Sequence, residues 1–172
     1  MTPRIPVAAR RRRNSRGNAF LEAGLVLLPL MALISGFFDV TMATFNWSTL
    51  QNAVRVGCRY AVTYQTSGGL GQDASIAQVV SQYSMGLLPV GSSYIHVNYY
   101  AQTALTTPIA APAGNAPSNV VEVSVQGYPL QWMTPIAGSI ANPLRSQSPA
   151  SLNVYAFDVM SGMPAGVASV PR

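Results

Sequence analysis

The hydrophobic and polar positions divide the chain into three regimes. From Ala23 to Phe38 the run AGLVLLPLMALISGFF carries no charge, so a helix built there is apolar on every side. Its sixteen residues fall short of the roughly 20 that a spanning helix needs. A helix from Asn18 to Trp47 covers thirty residues and about 45 Å at 1.5 Å per residue, enough for hydrocarbon and both interfaces. Trp47 then falls at the far interface, where amphipathic rings are enriched. From Trp47 to Tyr64 the period remains helical but becomes one-sided. Trp47, Leu50, Val54, Gly57, Cys58 and Ala61 share one face, and Asn52, Arg55, Arg59 and Thr63 another. The spacing predicts a helix that leaves the membrane without interruption and ends at the glycine-rich stretch Ser67 to Gly71.

Asp73 reads as the N-cap of a second helix, with Ile76, Val79, Val80 and Tyr83 on one side and an end near Gly86 and Pro89. Beyond it the period changes to two. Ile95, Val97 and Tyr99 alternate with His96, Asn98 and Tyr100. Val121, Val123 and Val125 alternate with Glu122 and Ser124, and Leu152 to Met160 forms a third β-rich run. Thr103 to Asn119, rich in Ala, Pro, Thr and Gly, reads as a long loop. The expected fold class is α+β: a long N-terminal transmembrane helix, a second short helix and a small antiparallel sheet packed on them.

Charge changes the picture through its location. The formal net charge is +5 and every one of the ten cations is Arg. Arg4, Arg10, Arg11, Arg12, Arg13 and Arg16 lie ahead of Gly17. Downstream, Arg55, Arg59, Arg145 and Arg172 face Glu22, Asp39, Asp73, Glu122 and Asp158, which is four positive charges against five negative, or −1. The basicity is a tail, and a nucleic-acid reading would need that tail retained on a folded partner. Six Arg before the apolar run and only Arg55 and Arg59 soon after it place the N-terminus in the cytoplasm and the bulk of the chain outside. Only 9% of residues are charged, against roughly 25% in ordinary soluble domains, which argues against a free cytosolic enzyme. From Ala74 to Val121 there is no charge at all, so that surface relies on Ser, Thr, Asn, Gln and Tyr, a composition suited to subunit packing. A cleaved secretory signal would share the basic and apolar order, but Asp39 to Trp47 offers no clean small-residue cleavage site, only a weak candidate around Ala43. A twin-arginine signal at Arg10 to Arg13 would share that order too, as would the uncleaved anchor of a single-span sensor.

Glu22 is costly at the edge of an apolar helix unless it marks the helix start, where the dipole favours an anion, or has a partner or task. The sequence Gly17-Asn-Ala-Phe-Leu-Glu22, after a short basic leader, resembles the processing site of type IV pilin-like proteins. That resemblance implies cleavage of the Gly17–Asn18 bond by a prepilin peptidase, with Glu22 as the assembly carboxylate at mature position five. Pro29 within the apolar run, the acidic Asp39, and Leu50, Gln51, Asn52, Ala53, Arg55, Gly57, Arg59 and Ala61 resemble TadE-like pseudopilins of the tight-adherence (Tad, or Flp) pilus system. Val121 to Val125, a Tyr128-Pro129 turn, a Thr134-Pro135 segment and the late strand are compatible with it. Ala23, where many relatives carry an aromatic, and Cys58, in place of the usual Ala, depart from the pattern. The implied organisation is a leader at 1–17, a transmembrane helix at 18–47 and a periplasmic helix with a small pilin-like α+β domain at 48–172. The implied partners are the peptidase, other pilins or pseudopilins, the inner-membrane assembly platform and the membrane itself. Nucleic acid and small-molecule substrates are not expected. Asp39, Arg55 and Arg59 are candidates for packing, or for contact with lipid phosphates or a partner's carboxylates, unless the two arginines are simply solvated.

The motifs of catalysis are missing. There is no G-x-S-x-G elbow, H-E-x-x-H, phosphate loop or dinucleotide fingerprint. One cysteine, Cys58, rules out an intramolecular disulfide and any multi-Cys zinc site, and one histidine, His96, rules out a His-rich centre. His96 with a serine and Asp158 is conceivable as a triad, but a lone His in an alternating strand is read as structural. The expectation is a non-enzymatic chain without cofactor or metal.

Overall fold

The computed structural model describes residues 15–111, 113–130, 151–163 and 171–172. Most of the basic leader, the Thr134-Pro135 segment and Arg145 lie outside the described residues. The fold is α+β: two helices, α1 (Ser15–Val62) and α2 (Gln72–Tyr83), and strands β1 (Ile95–Ala101), β2 (Ala104–Pro108), β3 (Val120–Pro129) and β4 (Ser151–Val159). The strands form one antiparallel sheet in the order β2-β1-β3-β4.

The expected uninterrupted helix is a single element of 48 residues. Its apolar half is long and apolar enough to cross a membrane, and Phe20, Leu21, Leu25, Leu28, Leu33 and Phe37 all stand exposed. Pro29 lies inside it, a residue that membrane helices tolerate because local adjustment re-satisfies the freed backbone groups. The other half turns one face to the domain: Leu50, Ala53, Val54, Cys58 and Ala61 are buried. Trp47, placed on that face by its period, is instead 50% exposed. The helix ends at Val62, ahead of the glycine-rich stretch, with Thr63 and Tyr64 N–H donating to Tyr60 and Ala61 carbonyls. Tyr64 takes a φ of 55°. That left-handed conformation is uncommon outside glycine, and here burial of the ring and a 2.7 Å bond from its hydroxyl to the Ser161 carbonyl hold it.

The short helix runs back along α1. Gln72 donates to the Ala61 carbonyl (2.9 Å), Ile76 and Val80 meet Gly57, and Tyr83 and Met85 share a groove with Phe45 and Thr49. Gly57 is required by this approach, since a Cβ there would lie 2.5 Å from Val80 Cγ2. The N-cap is Gly71 and not Asp73, which sits in the first turn with its carboxylate turned elsewhere. The helix stops at Tyr83, short of Gly86. Gln72, fully buried, also accepts from Asn115 at 2.8 Å, so both ends of its amide are satisfied.

β3 is central, and Val121, Val123 and Val125 face the helices between Tyr99, Val97 and Ile95 of β1 and Asp158, Ala156 and Val154 of β4. Each fully buried valine is worth about 1.5–3 kcal/mol relative to exposure. Two expectations are corrected. Thr103 to Asn119 is not wholly loop, because Ala104–Pro108 pairs with β1 as an edge strand whose residues are all exposed. Without a buried face it has no alternation to read. Tyr128-Pro129 is not a turn but the end of β3, paired with Leu152 and Ser151 after a bulge at Gly127 (φ 71°). Proline is tolerated there because a strand end can forgo one donor.

Candidate functional site

The residues singled out by sequence are distributed along α1 and do not converge on a pocket. Gly17 and Asn18 belong to its opening turn. Glu22 lies seven residues beyond Ser15, past the first turn, so it does not mark the start of α1. It is exposed, among Phe20, Leu21 and Leu25, which are exposed as well. Asp39 follows about 26 Å further along the axis at 1.5 Å per residue, close to the thickness of a hydrocarbon core. Unlike Glu22 it is only 6% exposed. Just beyond it, Thr41 and Thr44 show how polar groups are managed on this stretch: each hydroxyl donates to the carbonyl four residues back, Phe37 at 2.9 Å and Val40 at 2.8 Å.

Arg55 and Arg59 are exposed on the face of α1 turned away from the core. Arg55 lines a shallow groove with Trp47, Ser48 and Gln51, and Arg59 another with Val79, Gln82 and Tyr83. Neither forms an ion pair with a described residue. The packing behind them explains the residue types between. Gly57 admits Val80, and Cys58 reaches the sheet, donating to the Ala156 carbonyl at 3.1 Å. Burial pushes the Cys58 thiol up to about 12, with Asp158 and Glu122 adding in the same direction against a backbone hydrogen bond from Val123. A thiol so protonated is a packing group, not a nucleophile.

The sheet keeps His96 and Asp158 apart. His96 stands opposite Ser124 on the outer face, whereas Asp158 stands opposite Val121 on the face toward the helices. A triad geometry is absent at these residues. On the outer face Glu122 is buried between Asn98 and Phe157, and its hydrogen bond with Tyr100 raises the Tyr100 hydroxyl above its ordinary range, as does partial burial.

One constellation escaped sequence reading. Arg172 Nε pairs with Asp73 Oδ2 at 3.1 Å, and its Nη1 donates to the Ile109 and Ala113 carbonyls at 3.0 and 2.7 Å. The guanidinium lies 4.4 Å over the Tyr99 ring. Tyr99 in turn donates to Asp73 Oδ1 at 3.0 Å, and burial foremost, then Asp73, raises its hydroxyl far above the ordinary tyrosine value. The cluster ties α2, β1 and the loop after β2 together, and no spacing in the sequence links residues 73, 99 and 172.

Among the described residues one helix is long and apolar enough to cross a membrane, and it carries a small α+β domain at one end, the arrangement of a membrane-anchored protein. Over residues 17–59 the chain matches the family model described as TadE-like protein. The matched segment is the one that carries Gly17, Glu22, Asp39 and the Leu50 to Arg59 motif, about a quarter of the chain. No curated protein matches the chain, and no solved structure does.

Proposed function

We propose that the chain is a minor pseudopilin of a Tad (Flp) pilus or related secretion filament, made as a precursor, cut by a prepilin peptidase between Gly17 and Asn18, and acting as a non-enzymatic assembly component. It sits in a bacterial inner membrane with its N-terminus cytoplasmic and its domain periplasmic, beside other pilins and the assembly platform. The observation that carries this reading is the TadE-like match, which begins at Gly17 and runs unbroken through the apolar helix to Arg59.

Helix physics supplies a role for the cut. In the intact chain the N–H groups of residues 19 to 21 face the preceding turn of α1. Cleavage removes that turn and leaves these three donors without helical acceptors. The positive end of the helix dipole moves next to Glu22, together with a new α-amine of unperturbed pKa near 7.7–8.0. A carboxylate that is exposed among Phe20, Leu21 and Leu25 is costly in lipid by about 2.5–3.5 kcal/mol at mid-bilayer and less near the interface. Pairing with a neighbouring subunit's amine relieves that cost on assembly. Losing the Arg-rich leader also removes six charges that anchor the terminus to an anionic leaflet. Arg55, about 12 Å beyond Trp47 along the helix, and Arg59 are both exposed and in this reading meet lipid phosphates or a partner's carboxylates, whereas buried Asp39 serves packing.

Mass determination of the mature N-terminus tests the reading. A chain starting at Asn18 is expected. An intact Met1 would instead support an uncleaved single-span sensor, and a start beyond Ala43 an ordinary exported protein, and either sinks the proposal.

A further inference from the structure

The turn between α2 and β1 ends in exposed apolar side chains at the level where α1 enters the membrane. α2 runs back along α1, so Tyr83 and Met85 line one groove with Phe45, Ser48, Thr49 and Asn52. Trp47, the interfacial ring of α1, lies within that stretch. Met85 is 76% exposed, Val90 73% and Tyr83 51%. Isolated exposed apolar residues are ordinary, but Tyr83 and Met85 gather beside the end of a spanning helix, with Val90 following in the same turn.

The turn is built rather than loose. Ser81 Oγ donates to the Leu88 carbonyl at 2.8 Å, Ser84 Oγ donates to the Ser81 carbonyl at 2.7 Å, and Leu88 N–H donates to Ser84 Oγ at 3.0 Å. Leu88 itself is buried in the core. With both ends fixed, Met85 is held at a φ of 54°, a left-handed conformation that a non-glycine residue keeps only where its surroundings impose it. The result projects the Met85 side chain outward. No charge lies between Ala74 and Val121, so the turn brings no ionic group to an apolar boundary, where one would be expensive. Tyr83 and Trp47 are the residue types that favour the headgroup zone.

We propose that the Tyr83–Val90 turn is a second membrane contact, an interfacial foot seated on the lipid surface beside α1, with Met85 and Val90 in the headgroup–acyl boundary. The foot rests on the reading of α1 as a membrane span. It fixes the tilt and rotation of the domain over the bilayer, which one helix through lipid leaves free.

The test uses the full chain with Cys58→Ala, carrying a single environment-sensitive fluorophore at Met85→Cys or Val90→Cys. It is reconstituted at low protein density in vesicles of phosphatidylethanolamine and phosphatidylglycerol, with and without lipids bearing a nitroxide near the headgroup. Leu33→Cys reports the span. Leu70→Cys, also exposed and apolar but about 18 Å away at the other end of α2, reports water. Positions 85 and 90 should show blue-shifted emission relative to position 70, with loss of intensity on adding the quencher lipid. Emission like that of position 70, beside a lipid-like signal at position 33, overturns the foot and leaves the span standing. A blue shift without lipid quenching means that protein covers the turn, and also overturns it. A water-like signal at position 33 removes the span and the foot together.

Discussion

Gly57→Ala replaces a hydrogen with a methyl group at the closest approach of α1 to α2. The added carbon would lie 2.5 Å from Val80 Cγ2, with Val123 Cγ1 at 3.5 Å and Ile76 Cγ2 at 3.6 Å. Comfortable carbon contacts are about 3.5–4.0 Å, so the overlap with Val80 is about 1 Å or more. Val80 cannot yield cheaply, because it is fully buried and a β-branched side chain in a helix has one strongly preferred rotamer. Overpacking of this kind costs about 1–3 kcal/mol. The exchange of Gly for Ala within a helix returns roughly 0.5–1 kcal/mol. The mid-range net loss of about 1 kcal/mol should lower Tm by about 4–8 °C for a domain near 100 residues. Thermal unfolding of the full chain in detergent micelles, followed by near-ultraviolet circular dichroism of the tyrosines, measures it. Gly36→Ala is the matched control, since a Cβ there meets nothing within 4 Å, and its Tm should hold or rise. Adding Val80→Ala to Gly57→Ala should cost less than the sum of the two single changes. An unchanged or higher Tm for Gly57→Ala, or strictly additive losses in the double variant, would refute the steric account.

Arg172→Ala removes the ion pair with Asp73, two carbonyl contacts and the stack on Tyr99. Because Asp73 keeps 31% side-chain exposure, the expected loss by denaturant unfolding is about 2–3 kcal/mol, below that of a fully buried pair. Arg172→Lys should recover only part of it, lacking the planar fork. The Cys58 thiol holds its proton to about 12 in the fold against an ordinary value of 9.0, so the folded state binds more protons in that window. Its contribution is therefore complete below pH 9.0 and lost as pH rises toward about 12. Tyr99 acts in the same direction. Stability should hold to about pH 9 and fall above it, less steeply in Cys58→Ala, and maleimide should modify Cys58 at about pH 8 only after unfolding. Glu22→Ala should leave membrane insertion intact, scored by carbonate extraction, yet reduce filament assembly; unchanged piliation would remove the role given to that carboxylate.

Much of the architecture was legible because its signals are local. The Ala23 to Phe38 run needs no partner to declare itself apolar, and the three valines of β3 alternate with Glu122 and Ser124 whatever lies on either side. The residues that carry the TadE-like resemblance, Gly17 to Ala61, lie on one helix, so their spacing survives folding as a fixed geometry. The misses share the opposite property. Ala104 to Pro108 becomes a strand only because β1 offers it an edge. Asp73 reads as a cap until Tyr99 and Arg172 claim its carboxylate. Trp47 follows the helical period of the buried face, yet no described element covers it and it stays 50% exposed.

Local patterns in the chain specify the long helix, the placement of its charges, the α+β class and the segment that resembles TadE-like proteins. All of these follow from periodicity and composition along a continuous stretch. Packing in three dimensions makes Gly57 an interhelical contact, brings Arg172 to Asp73 across 99 positions, and puts His96 and Asp158 on opposite faces of the sheet. It alone brought Met85 level with Trp47. Such relations depend on how two elements pack, and packing is set by shape and burial summed over the whole core, which no local pattern contains.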